Sequence, residues 1–192
     1  MRLRHLVLVA LGLGTSAGAQ NLGPFRQFLA IEPYYARSVF DAGPDADRVG
    51  ANGYGGRLWV NLAPFAGPHR TLISKGALAF FATYTPDQEG RNATVLHYGV
   101  QHDAFFLHTP IAKAIDPFLS VGAGGFRVKS GGSSSTDFAF SAGGGIRVPV
   151  PNRFQLRFDA RDAMIFGSRT GTGGSKRTAH NFEFLGAVGI TF

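Results

Sequence analysis

The sequence predicts an all-β chain: an eight-stranded antiparallel up-and-down transmembrane β-barrel preceded by a cleaved signal peptide. Three observations predict it. Residues 137–192 alternate apolar with polar or small side chains through three consecutive segments. The segments are about ten residues long and separated by turn-forming residues, as expected of strands that cross a bilayer with one face in lipid. The first 19 residues read as an export signal, and no other continuous apolar run approaches the ~20 residues a spanning helix needs. If the mature chain enters a membrane, it does so as strands.

The signal is the first element. Met1 to His5 carries two arginines, Leu6 to Leu13 is the apolar core, and Ala17-Gly18-Ala19 is a small-residue cleavage site before Gln20. Positive start, short apolar run and small-residue exit are the marks of a secretory leader. The expected organisation is therefore a signal over 1–19 and a single barrel domain over 20–192, exported by the Sec route.

The strands follow in order. The first is expected over about 28–40, where Pro33 obscures the register because it donates no ladder hydrogen bond. The second, 53–63, sets Leu58, Val60 and Leu62 against Arg57, Trp59 and Asn61. In the third, 75–85, the two faces rank alike. The fourth, 94–106, places Leu96, Tyr98 and Val100 against His97, Gly99, Gln101 and Asp103. The fifth, 117–129, places Leu119, Val121 and Ala123 against Ser120, Gly122 and Gly124. Ser130 to Thr136 reads as a polar loop.

The last three strands carry the strongest contrast. In 138–148, Phe138, Phe140, Ala142, Gly144, Ile146 and Val148 oppose Ala139, Ser141, Gly143, Gly145 and Arg147. In 153–162, Phe154, Leu156, Phe158 and Ala160 oppose Arg153, Gln155, Arg157, Asp159 and Arg161. In 182–192, Phe182, Phe184, Gly186, Val188, Ile190 and Phe192 oppose Glu183, Leu185, Ala187, Gly189 and Thr191. Side chains on a strand alternate between faces, so the charges of all three strands share one side. With both termini at one rim, Phe154 and Phe192 fall there, and Phe138, Phe140, Phe166, Phe182 and Phe184 fall at the other. Two aromatic girdles result.

Composition excludes several function classes. Without its leader the chain has seventeen basic and twelve acidic side chains, scattered with no basic arm or block, so no nucleic-acid partner is expected. The absence of cysteine excludes disulfides and thiolate metal sites. His97 and His102 point to opposite faces of one strand, and no metal or cofactor is expected. Gly171 to Thr178 lacks the glycine-lysine step and the strand-to-helix context of a phosphate loop.

The closing stretch Phe182-Glu-Phe-Leu-Gly-Ala-Val-Gly-Ile-Thr-Phe192 resembles the last strand of OmpA-type small outer-membrane barrels, which end in phenylalanine. Ser120 to Phe126 and Phe140 to Val148 are similar to that family's glycine-laden strands. The resemblance implies an outer-membrane location and recognition by the barrel-assembly machinery, with Ile190 and Phe192 as the key positions. The connections 64–74 and 107–115 are longer than the family's usual tight turns.

Chemistry is then sought first in the lumen. Arg57, Arg147, Arg157, Asp159, Arg161 and Glu183 are expected to interlock there, with Glu32, His97, Gln101 and Asp103 also inward. An eight-stranded barrel has an interior just wide enough for side chains. Arg169, Lys176 and Arg177 form a basic loop placed to meet lipopolysaccharide phosphates. Three function classes are expected to compete. The first is a monomeric, non-enzymatic envelope or surface-interaction barrel without a wide pore. The second is a lipid A-modifying enzyme on the same scaffold, for which His180 and Ser175 are the candidate pair. The third is a soluble exported barrel with an apolar ligand inside and its charged face in water.

Overall fold

The computed structural model describes residues 28–40, 49–62, 65, 76–86, 93–105, 115–150, 153–168 and 177–192. Eight strands form one closed barrel: β1 (Leu29–Phe40), β2 (Val49–Asn61), β3 (Gly76–Thr85), β4 (Ala93–Phe105), β5 (Asp116–Ser130), β6 (Ser133–Val150), β7 (Phe154–Ser168) and β8 (Arg177–Thr191). Each strand pairs antiparallel with its sequence neighbour, and β8 returns to β1. Among the described residues no helix is long and apolar enough to cross a membrane. The expected signal lies outside the described residues.

Closure puts the first and last strands side by side. Ala30 pairs with Thr191 and Ile31 with Ile190. Phe192 accepts from the backbone N–H of Phe28 at 2.9 Å, and its own N–H donates to Leu29 at 2.8 Å. Phe28 and Phe192, the ends of the described barrel, therefore lie at one rim, called here the terminal end, and the opposite rim is the far end.

The strands run further toward the far end than the hydrophobic alternation does. β2 begins at Val49 and not 53, β7 continues to Ser168, and β8 begins at Arg177 and not 182. The expected polar loop 130–136 is instead a hairpin. Gly131 and Gly132 form its two-residue turn at φ 56° and 85°, and Ser133–Thr136 pair with Arg127–Ser130. A ladder is held by backbone hydrogen bonds and needs no apolar face, so Ser and Thr continue a strand beyond the apolar band. Two glycines in the left-handed region give the turn whose twist matches the flanking strands. Arg153, expected to share a face with Arg157 and Arg161, is exposed in the turn before β7 with φ 70°, because the three-residue connection after Val150 uses it to reverse the chain.

The faces separate cleanly. On β7, Gln155, Arg157, Asp159 and Arg161 are buried while Phe154, Leu156, Phe158 and Phe166 are exposed. On β3, where the sequence ranks neither face, Ala77, Ala79, Phe81, Thr83 and Thr85 point inward and Phe80 and Tyr84 outward. The polarity is the reverse of a water-soluble barrel: large hydrophobics outside, ions inside. The far-end girdle also contains tyrosines. Tyr35 pairs with Tyr54 and Tyr54 with Tyr84, so three outward tyrosines stand in one row across β1, β2 and β3.

Candidate functional site

The lumen holds three layers. At the terminal end, Trp59, Phe105 and Phe118 pack with Ala30, Ala77 and Ala79. Arg147 joins this layer: its guanidinium lies 5.1 Å from the Trp59 ring centroid and 4.6 Å from that of Phe105, and it donates to Asp116 Oδ2 at 2.6 Å. Register explains the placement, because Arg147 stands directly opposite Asp116 on β5. Toward the far end, Phe126, Ala139, Ile165 and Ala179 form a second apolar layer, with Phe40, Val95 and Val128 against it.

Between the two lies a mesh of ion pairs. Arg57 donates to Glu32 Oε2 at 3.2 Å and to Asp159 Oδ2 at 2.9 Å. Arg157 donates to the same Asp159 oxygen through Nε and Nη2, at 3.1 and 3.0 Å, and reaches across the bore to Asp103 on β4 at 2.6 Å. Gln101 joins Asp103 at 2.6 Å to Arg161 at 3.2 Å. Arg161 donates through Nε to Glu183 Oε2 at 2.5 Å, and its Nη2 reaches Thr83 at 3.2 Å. Glu183 Oε1 is shared by His97 Nδ1 at 3.1 Å and Asn181 Nδ2 at 3.0 Å. Gln155 donates to the other oxygen of Glu32, and the Tyr34 hydroxyl pairs with Thr83 at 2.8 Å. One connected path thus runs from Gln155 to His97 through side chains of five strands, and Thr83 of a sixth branches from it at Arg161.

Local structure sets this up. Glu32 stands opposite Arg57 and Arg161 opposite Glu183 in register, so each pair forms across adjacent strands. Space comes from β6, whose inward residues beside Asp159 and Arg161 are Gly145 and Gly143. A Cβ at Gly145 would stand 2.9 Å from the Phe118 ring, and that ring carries the Arg157 guanidinium 4.0 Å from its centroid. Charges removed from water are costly unless paired and hydrogen-bonded, and each guanidinium here meets carboxylate, amide or ring.

The candidate residues of the lumen each have a definite place. Arg57, Arg157, Asp159, Arg161 and Glu183 lie in the mesh, whereas Arg147 belongs to the aromatic layer. Glu32, His97, Gln101 and Asp103 join the mesh. Sequence reading did not single out Tyr34, Thr83 and Asn181; the strict parity of each strand is the signal that would have found them. Ile190 and Phe192 are exposed on the outer face at the terminal end. Arg169, Lys176 and Ser175 lie outside the described residues, and of Arg177 only the backbone, in β8, is described.

His180 brings a feature that sequence reading did not anticipate. It points outward from β8, and its Nδ1 lies 2.7 Å from Asp162 Oδ2 of β7, beside a stacked Phe182 ring. This is a histidine oriented by a carboxylate on the outside of the barrel. Among the described residues no hydroxyl is hydrogen-bonded to it, and no group of His, Asp and Glu is placed to hold a metal.

No protein-family model and no curated protein matches the chain. Among solved structures it is similar to Neisserial surface protein A, with a TM-score of 0.60 and 16% identity over 85% of this chain and 97% of that one. It is also similar to Ail, the attachment invasion locus protein of Yersinia pestis, with a TM-score of 0.52 and 14% identity over 88% of this chain and 100% of that one. Ail in complex with the heparin analogue sucrose octasulfate gives 0.53 at 13% identity, with 88% and 100% covered.

Proposed function

We propose that this chain, whose fold is that of the small eight-stranded outer-membrane barrels, is an integral outer-membrane protein, inserted with its terminal end in the periplasm, whose lumen is sealed and whose role lies in the envelope and its outer surface. The observation that carries this reading is the inverted polarity, a ring of exposed Phe, Leu, Ile and Val around fully buried ion pairs. A lipid solvent suits that exterior better than water, and backbone hydrogen bonds closed into a ring are what a strand-built span requires. The soluble reading required the Arg157, Asp159 and Arg161 face to meet water, and that face is buried.

Three expectations follow from this reading. The last strand, with Ile190 and Phe192, engages the assembly machinery. Outer-membrane lipids, lipopolysaccharide among them, are the immediate partners, with Arg169, Lys176 and Arg177 at the outer rim. The barrel acts as a monomer without a cofactor. Fractionation with gel mobility of boiled against unboiled extracts tests the location: a heat-modifiable band in the outer membrane is expected, and a soluble heat-insensitive protein would overturn the proposal. In planar bilayers the sealed lumen is expected to give no porin-sized conductance steps.

A lipid-modifying activity is the second reading, favoured by the Asp162–His180 pair. Asp162 at Nδ1 leaves Nε2 as the general base, the arrangement a hydrolase uses. Among the described residues no nucleophile accompanies the pair, and the candidate Ser175 lies outside them. His180→Ala that leaves lipid A acylation unchanged in cells would exclude this reading.

A further inference from the structure

The outer face carries a groove of ≈ 570 Å³ across β6, β7, β8 and β1, floored by Gly144, Ala160 and Gly186 and walled by Tyr35, Phe158 and Phe184. Its floor is not dictated by the barrel's own packing at Gly186. A Cβ there would meet only Phe158 ring carbons, at 3.8 and 3.9 Å, which is ordinary contact. Glycine within a strand costs about 0.5–1 kcal/mol relative to alanine, yet here neither backbone nor lumen asks for it.

A cation stands at the groove's far end. Arg37 lines it from β1, three residues short of that strand's end, above the outward Ile31, Pro33 and Tyr35. Its guanidinium lies over Gly50, where a Cβ would stand 3.0 Å from Cζ, and donates to Asn52 Oδ1 at 2.9 Å. Asn52 is neutral, and no carboxylate among the described residues pairs with Arg37. The barrel thus holds a fixed, exposed positive charge where the apolar band ends, next to a slot that suits a hydrocarbon chain.

We propose that this groove seats an acyl chain of a phosphorylated outer-leaflet glycolipid, of the lipid A class, with Arg37 binding its phosphate. A guanidinium pairs with phosphate through parallel N–H donors, and the Asn52 contact pre-orients it. The chain descends over Gly186 and Ala160 between Phe158 and Phe184. The inference rests on the membrane reading above and adds a defined lipid site to it.

The test uses the folded protein in phosphatidylcholine nanodiscs offered bis-phosphorylated lipid A, dephosphorylated lipid A or phosphatidylglycerol, with retained lipid read by native mass spectrometry. Wild type should retain the bis-phosphorylated form over the dephosphorylated one by about tenfold, the scale of one charge-assisted hydrogen-bonded contact. Arg37→Gln should erase that ratio. Gly186→Leu, which fills the slot without entering the lumen, should lower retention of both forms. A wild type that retains both forms equally, an intact ratio in Arg37→Gln, undiminished retention in Gly186→Leu, or phosphatidylglycerol held as well as lipid A would each overturn the site. Heat-modifiable mobility of every variant shows that it is folded. A protein that inserts but shows no lipid preference sinks this inference alone, whereas one that never enters bilayers sinks the membrane reading with it.

Discussion

The two faces of β7 belong to the same fifteen residues and live in different solvents. Inward, Arg157 is fully buried and holds two aspartates; outward, its neighbour Phe158 is 53% exposed. The inner face is specified by pairing, since each ion depends on a named partner on its own strand, on the next one or across the bore. The outer face is specified only by being apolar and by where its aromatic rows fall. Substitutions inside should therefore depend on chemistry and geometry, and substitutions outside on polarity and depth.

The largest effect should come from breaking the inner face. Arg157→Met leaves Asp103 and Asp159 short of their cation and should cost about 3–5 kcal/mol, the usual loss when one partner of a buried pair is removed. Urea unfolding from lipid vesicles measures it, and a loss under 1 kcal/mol would mean the mesh does not hold the barrel. Replacing Asp103 by leucine in the same variant should recover part of the loss, because Asp159 keeps Arg57 as its cation and no carboxylate is then left without one. The outer face should fail differently. Phe158→Arg puts a charge on the apolar outer face and, if that face meets lipid as proposed, should cost about 2–4 kcal/mol in the same assay. The penalty should vanish for folding in detergent micelles, which let water reach the charge; an equal penalty in both would show that Phe158 is not facing lipid. Smaller still, Tyr54→Ala opens the tyrosine row and should cost about 1 kcal/mol through lost ring contact with Tyr84, 5.5 Å away.

The same contrast explains what the sequence made legible. Strand number, order, faces and inward charges of the last three strands follow from period-two alternation, because an apolar row on one side and ions on the other leave no ambiguity at Phe154 to Arg161. The third strand resisted because Ala77, Ala79 and Ala82 suit either face, and only pairing with its neighbours decides. Far-end strand limits were illegible for another reason: Ser133 to Thr136 have no preferred side once the ladder leaves the apolar band. Within the lumen, parity tells which residues point inward but not whom they meet. Arg157 and Asp103 are 54 residues apart, and only the curvature of the closed sheet brings them to 2.6 Å. Arg147 shows the same limit, since sequence groups it with the other arginines while register hands it to Asp116 and two aromatic rings.

The β1–β8 seam bears on how the molecule comes into being. The strands that close the ring are the first and last of the chain, so the most sequence-distant contacts are those that complete it. Every precursor short of Phe192 exposes two unpaired strand edges, a standing invitation to intermolecular pairing. Contacts of such long range also make folding slow, since chain entropy is lost before any ladder bond repays it. On the membrane reading proposed above, the pairing of β8 with β1 would be the step that completes the ring after the other strands have formed.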